Sequence, residues 1–293
     1  MEQVSENKSF NGVIRKYKVQ SQKLGGLETN FNVFLPKQAI EGNKVPVLYY
    51  LAGLTCNEDT GAQKGGFIRD AASEGIALVF PDTSPRGAGI EGEDKDWDFG
   101  TGAGFYLNAT SEKYSKHYNM YDFIVEELPS HLSSLPLDLS RSSIMGHSMG
   151  GHGALTLYLK NLSSKKYVSA SAFAPIANPT KAPWGEKAFG GYLKGGVEEG
   201  KEYDATELLK GLGEEKKEVK ILIDVGTGDN FYNQKQLLPE NIIEARDSVG
   251  LSKEQIQVNL HDDYDHSYWF ISTFGPSHVK FHAKHLNSLP SKN

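Results

Sequence analysis

The sequence predicts an α/β protein with a mostly parallel central sheet, helices on both faces and antiparallel strands at its N-terminal edge. Three observations carry that expectation. Short runs rich in β-branched and aromatic residues alternate with helical stretches along most of the chain. Most of these runs are apolar throughout rather than alternating, as suits strands covered on both sides. One run leads directly into a glycine-flanked serine and then a helix.

In chain order, residues 11–35 read as antiparallel edge strands. Val45–Leu51 is a buried strand whose proline stands near its start, where a missing N–H is tolerated. Residues 76–80, stopped by Pro81, form the next strand. Residues 142–145, 167–173, 219–225 and 256–260 complete the set. Helices are expected over residues 120–134, with Phe123, Val125, Leu128 and Leu132 on one face, and over 239–248 and 268–286. The Lys/Gly/Glu-rich stretches 194–201 and 210–217 read as solvated loops, and nothing resembles a linker between two cores. One domain over residues 1–293 is the expectation.

Composition excludes several classes. With 31 Lys and Arg against 37 Asp and Glu, the net charge of −6 speaks against a nucleic-acid binder that works through a basic face. Cys56 is the single cysteine, so an intrachain disulfide and a cysteine-rich zinc site are both excluded and a reducing compartment is natural. The N-terminus lacks a basic patch followed by an apolar stretch, and no 18-residue apolar run occurs. A cytoplasmic protein without membrane association is expected.

The Gly146-His147-Ser148-Met149-Gly150 pentapeptide fits Gly-x-Ser-x-Gly. In a chain with 31 glycines the motif alone is weak, and its setting strengthens it. It follows a strand and opens a helix, as a nucleophile elbow must. The flanking glycines avoid clashes in a strained turn, and the helix N-terminus faces the place where an oxyanion would form.

A serine nucleophile needs a base, and the base needs a carboxylate to orient it. In α/β-hydrolases these follow the order Ser, Asp or Glu, His, which removes His117, His131 and His147. His152 lies within the elbow helix and reads as a packing residue. His278, His282 and His285 read as exposed helix residues without an acidic partner, so no metal site is expected. His266 stands in the loop between the last strand and last helix and is the expected base, with His261 its rival at the strand end. Asp229 follows the strand over 219–225 and is the expected acid; Asp224, within that strand, reads as structural and bonded to backbone N–H groups. Asp262, Asp263 and Asp265 are expected to fix the base's loop or face solvent. The backbone N–H groups of Met149 and of Leu54 or a neighbour would hold the oxyanion. Cys56, in the loop with Leu54, is a packed thiol or one whose alkylation would block the site.

At this point the residues carry a resemblance. Gly53-Leu54-Thr55-Cys56, Pro81-Asp82-Thr83-Ser84-Pro85-Arg86-Gly87, the long block from Trp97 to Tyr106, Gly146 to Gly153, Pro183-Trp184-Gly185 and Tyr264-Asp265-His266-Ser267-Tyr268 are its main stretches. They closely resemble the S-formylglutathione hydrolase (esterase D) family of the α/β-hydrolase superfamily. The resemblance runs from about Phe10 to Leu286. It implies an α/β-hydrolase fold and hydrolysis of S-formylglutathione to glutathione and formate, the last step of glutathione-dependent formaldehyde detoxification. It also implies a triad of Ser148, Asp229 and His266, no cofactor and a cytoplasmic homodimer. A formyl group is small, so bulky residues should wall its pocket. Trp97, Trp184, Phe105 and Tyr106 are candidates, and core packing accounts for the same residues equally well. Arg86 and Lys181 could meet the anionic glutathione or stand as surface charge. A general short-chain carboxylesterase or an acyltransferase on the same triad is the alternative.

Overall fold

The computed structural model describes residues 1–291. Nine strands form one sheet in the order β1-β2-β3-β5-β4-β6-β7-β8-β9. They are β1 (Glu2–Ser9), β2 (Gly12–Ser21), β3 (Leu27–Leu35), β4 (Val45–Leu51), β5 (Ala77–Pro81), β6 (Leu137–His147), β7 (Ala170–Phe173), β8 (Ile221–Gly226) and β9 (Ile256–His261). From β5 to β9 all neighbours are parallel; β1, β2 and β3 pair antiparallel, and β3 runs antiparallel to β5. The expected α/β architecture is present. The antiparallel edge gains β1, a polar strand whose pattern carries no burial signal because nearly all of it is exposed.

Burial follows position in the sheet. Every residue of β4 is buried, and the β4–β6 register slips around Pro46, which has no N–H to offer its neighbour. Edge strand β9 buries only Ile256, so cover on both faces holds for the central strands only. The helical stretch starting at Met120 contains a wide turn over Phe123–Glu127, where Leu128 N–H reaches back to the Phe123 carbonyl. Pro129, next in sequence, has no N–H to continue the normal ladder. The stretches expected as open loops contain short helical turns at Gly196–Gly200 and Glu214–Glu218.

The C-terminal helix, Tyr268–Asn287, corrects one expectation. His278 and His282 are fully buried against the sheet, on the face that also carries Phe270, Ile271 and Val279. A chain of hydrogen bonds makes that burial tolerable. Asp224 accepts from His278 Nε2 at 2.9 Å, and Ser171 Oγ lies 2.8 Å from His278 Nδ1. Ser171 Oγ lies 2.7 Å from His282 Nε2, Ser169 Oγ 2.8 Å from His282 Nδ1, and Ser143 Oγ 2.9 Å from Ser169 Oγ. With Asp224 ionised, each hydroxyl and imidazole proton has one acceptor, and both rings are neutral Nε2–H tautomers. Asp224 is therefore structural, as expected, but side chains rather than backbone N–H groups satisfy it: Asn259 Nδ2 at 2.8 Å joins His278, and the His261 ring stands 3.1 Å away without an aligned hydrogen bond.

Burial holds the pKa values of His147 and His282 well below the usual 6.5, pulls His152 to about 4 and lowers His278 despite the neighbouring Asp224. The unfolded chain therefore binds more protons than the folded one once the pH drops below about 6.5, and folding loses stability there. The expected outcome is a melting temperature that is level above pH 7 and falls below pH 6.5, with each histidine contributing roughly 1 kcal/mol per pH unit. Calorimetric scans checking this would contradict neutral burial if the melting temperature held constant down to pH 5.

Candidate active site

The serine turn is built by close backbone approach. Ser148 sits between β6 and the buried helix Met149–Lys160 with φ 57° and ψ −117°, a conformation costly for a residue with a side chain. A Cβ on Gly150 would stand 1.9 Å from the Leu51 carbonyl oxygen, and one on Gly146 2.1 Å from that of Gly150, so neither position admits a larger residue. Ser148 N–H donates to the Phe173 carbonyl at 2.9 Å, and the Ser148 carbonyl accepts from His152 at 3.0 Å.

The loop after β4 lies against this turn. A Cβ on Gly53 would fall 3.2 Å from Ser148 Cβ, so the following residue, Leu54, is brought beside the serine. Met149, as the first residue of its helix, has an N–H without an acceptor in a preceding turn. The loop is held rigidly. Thr55 N–H donates to the Gly102 carbonyl at 2.9 Å, and the Cys56 carbonyl accepts from Thr83 Oγ1 at 2.5 Å and Arg86 Nη2 at 3.1 Å. Arg86 in turn grips buried Asp82 with two bonds of 2.7 and 2.9 Å. Arg86, expected either to meet substrate or to stand as surface charge, braces the loop through Nε and Nη2 while its side chain stays partly exposed. The Cys56 thiol is half-buried near the Thr60 and Tyr268 hydroxyls, and burial pushes its pKa up, so it is less available as a thiolate than an ordinary cysteine.

Asp229 and His266 meet across two strand-end loops. Asp229 is fully buried and caps the short helix Asn230–Asn233. Its Oδ1 accepts from Phe231 N–H at 2.8 Å and Tyr232 N–H at 3.4 Å, leaving Oδ2 for His266 Nδ1 at 2.5 Å. The His266 ring rests against His147, with centroids 4.5 Å apart, and against the edge of Phe231 at 4.8 Å. These contacts seat it beside the serine turn. His261 is turned instead toward Asp224 and stacks on Phe274 at 3.8 Å. Asp265 accepts from Ser267 N–H at 3.0 Å and from its hydroxyl, fixing the loop that carries His266, while Asp262 and Asp263 are exposed.

The aromatic candidates separate. Trp184 is buried, 4.5 Å from Phe231, and Trp97 is 54% exposed, edge-on to Trp184 at 5.8 Å. Rings therefore run from His266 through Phe231 and Trp184 to the surface at Trp97. Phe105 and Tyr106 belong to the core beneath the elbow helix: the Phe105 carbonyl accepts from His152 Nε2 at 2.9 Å, and Tyr106 donates to the Ala52 carbonyl at 2.8 Å. Lys181 is exposed. Sequence reasoning missed Phe231, two residues beyond the expected acid, and His147; their proximity to His266 depends on loops distant in sequence. Their adjacency to Asp229 and Ser148 was the available signal.

A family model described as a putative esterase matches residues 21–283. The chain is 46% identical over 289 residues to the S-formylglutathione hydrolase of Mus musculus, covering 98% of this chain and 99% of that one. It is 48% identical over 288 residues to that of Arabidopsis thaliana, covering 98% of each. A solved structure of an S-formylglutathione hydrolase from Agrobacterium tumefaciens matches with a TM-score of 0.91 at 42% identity, over 98% of this chain and 100% of that one. No helix among the described residues is long and apolar enough to cross a membrane. With a serine elbow, a buried Asp–His pair, an esterase match spanning β3 to β9 and relatives 46–48% identical over nearly the whole chain, the chain belongs to the S-formylglutathione hydrolase family of esterases.

Proposed function

We propose that this protein hydrolyses S-formylglutathione to glutathione and formate, with Ser148 as nucleophile, His266 as base and Asp229 as the acid that orients it. The observation that carries the reading is the 2.5 Å bond from His266 Nδ1 to fully buried Asp229, set against the strained turn of Ser148. Asp229 fixes the tautomer with Nδ1 protonated, so Nε2 is free to take the serine proton. Ser148 Oγ attacks the formyl carbon, and the oxygen gains charge against the N–H groups of Leu54 and Met149. The tetrahedral intermediate collapses as the C–S bond breaks, and His266 returns the proton to the departing sulfur. Water then gives a proton to His266 and attacks the formyl-serine; the C–O bond to Ser148 breaks, His266 returns the proton to Ser148 Oγ, and formic acid leaves and ionises to formate. Trp184, reached from His266 through Phe231, supports a narrow acyl pocket with Trp97 at its mouth. One sheet and one continuous core support a single catalytic domain. The resemblance further supports a role in formaldehyde detoxification as a cytoplasmic homodimer, which gel filtration and fractionation test.

Thioester loss followed by absorbance, with wild type and Ser148→Ala side by side, is the direct test. Fast loss in wild type and a fall of several orders of magnitude in Ser148→Ala or His266→Ala are expected. Wild type that spares S-formylglutathione but cleaves larger acyl esters would overturn the substrate while leaving the triad. Asp229→Asn should cut turnover strongly with an unchanged fold by circular dichroism, whereas Asp224→Asn should mainly lower the melting temperature. A reversed pattern would exchange the roles of the two carboxylates. Gly53→Ala places a methyl 3.2 Å from Ser148 Cβ and should lower kcat at least about ten-fold, because oxyanion donors act only at correct distance. Unchanged kcat in that variant would remove this loop from the oxyanion site.

A further inference from the structure

We propose that His147 is a positioning residue for His266, whose uncharged imidazole backs the base and supports the positive charge it carries while the serine attacks. The inference rests on His266 being the base. β6 ends at His147, which is 6% exposed, and its ring meets that of His266 at 4.5 Å and 43°. Phe231 closes on His266 at 4.8 Å with its plane at 78°, and Asp229 holds the Nδ1 edge. The base is therefore gripped by two rings and one carboxylate.

The environment of His147 keeps it neutral. The titratable groups facing it are His266 from the strand-end loop and Tyr268, 5.9 Å away at the start of the C-terminal helix. From the β4 loop, which also carries Cys56, Gly53 approaches its Nδ1. Among the described residues no carboxylate pairs with it, and burial keeps its pKa far under 6.5. Both its nitrogens are shut off from solvent, and neither makes a well-aligned hydrogen bond, although the His266 backbone comes within reach of the ring. A phenyl ring would fill the same space without leaving polar atoms unsatisfied. What the imidazole adds is polarity. Because no well-aligned bond fixes its tautomer, its single proton can sit on the nitrogen farther from the His266 ring, turning a lone pair toward the base. When His266 takes the Ser148 proton, that lone pair faces the new positive charge in a water-poor site, where such interactions are strong. No proton passes to His147, and none is lost from it.

The test is His147→Phe, with His147→Gln as the polar control, assayed on S-formylglutathione and on p-nitrophenyl acetate. For His147→Phe we expect a melting temperature equal to or above that of wild type, unchanged KM and kcat about ten-fold lower. The acid limb of its kcat/KM profile should move to lower pH, because the imidazolium of His266 loses support. His147→Gln should recover part of the lost kcat. A Phe variant within two-fold of wild type with a superimposable pH profile overturns the proposal, as does equal impairment of the Phe and Gln variants. Should the Phe variant fail to fold, a Gln variant with kcat lowered a few-fold and its acid limb moved to lower pH supports the role, and one whose kcat and pH profile superimpose on wild type overturns it. Wild type inert toward both substrates would instead overturn the hydrolase reading itself.

Discussion

The left-handed turn at Ser148 is the constraint around which the carboxyl end of the sheet is organised. A residue with a side chain at φ 57° and ψ −117° stores strain on the order of 1–3 kcal/mol, and the surroundings must hold it there. They do so through backbone rather than side chains. The β4 carboxyl end approaches so closely that only glycine fits at position 150, and the Phe173 carbonyl at the end of β7 binds the serine N–H. Three adjacent parallel strands therefore converge on one residue. This convergence sets Ser148, the proposed nucleophile, at a helix N-terminus without a flexible loop beneath it.

The loop after β4, the proposed oxyanion loop, is held on the same principle by a longer lever. Asp82 lies just beyond β5, Arg86 four residues later, and together they reach the Cys56 carbonyl beside the serine. A buried carboxylate here requires its guanidinium partner, and that partner in turn fixes a neighbouring backbone oxygen. Loop geometry near the nucleophile is thereby tied to the core.

Two Asp–His–Ser sets grow from β8 and its loop, and they behave differently because of access. Asp224, His278 and Ser171 are linked in the order expected of a triad, yet all three, the imidazole included, are buried. Their bonds fasten the C-terminal helix to the sheet. Asp229, five residues later, is past the strand end, where it spends one oxygen on a helix cap and keeps the other for an imidazole at the surface of the fold. The residue types are the same; strain, exposure and the serine turn separate chemistry from architecture.

Local chemistry made much of this legible from sequence. Runs of Val, Ile and Leu bounded by Pro and Gly located the central strands, and glycines two residues either side of Ser148 marked the turn, because those preferences act over a few residues. Asp229 and His266 followed from their place after strand ends. The tertiary structure alone decided which side of the last helix turned inward, carrying His278 and His282 with it. It also decided that Phe105 and Tyr106 fill the core while Trp97 faces solvent, and that Arg86 braces a loop. Each of those outcomes depends on a partner from another part of the fold, such as Ser171 for His278 or the Cys56 carbonyl for Arg86. No local pattern encodes such a partner, since burial and pairing are set only when the strands assemble.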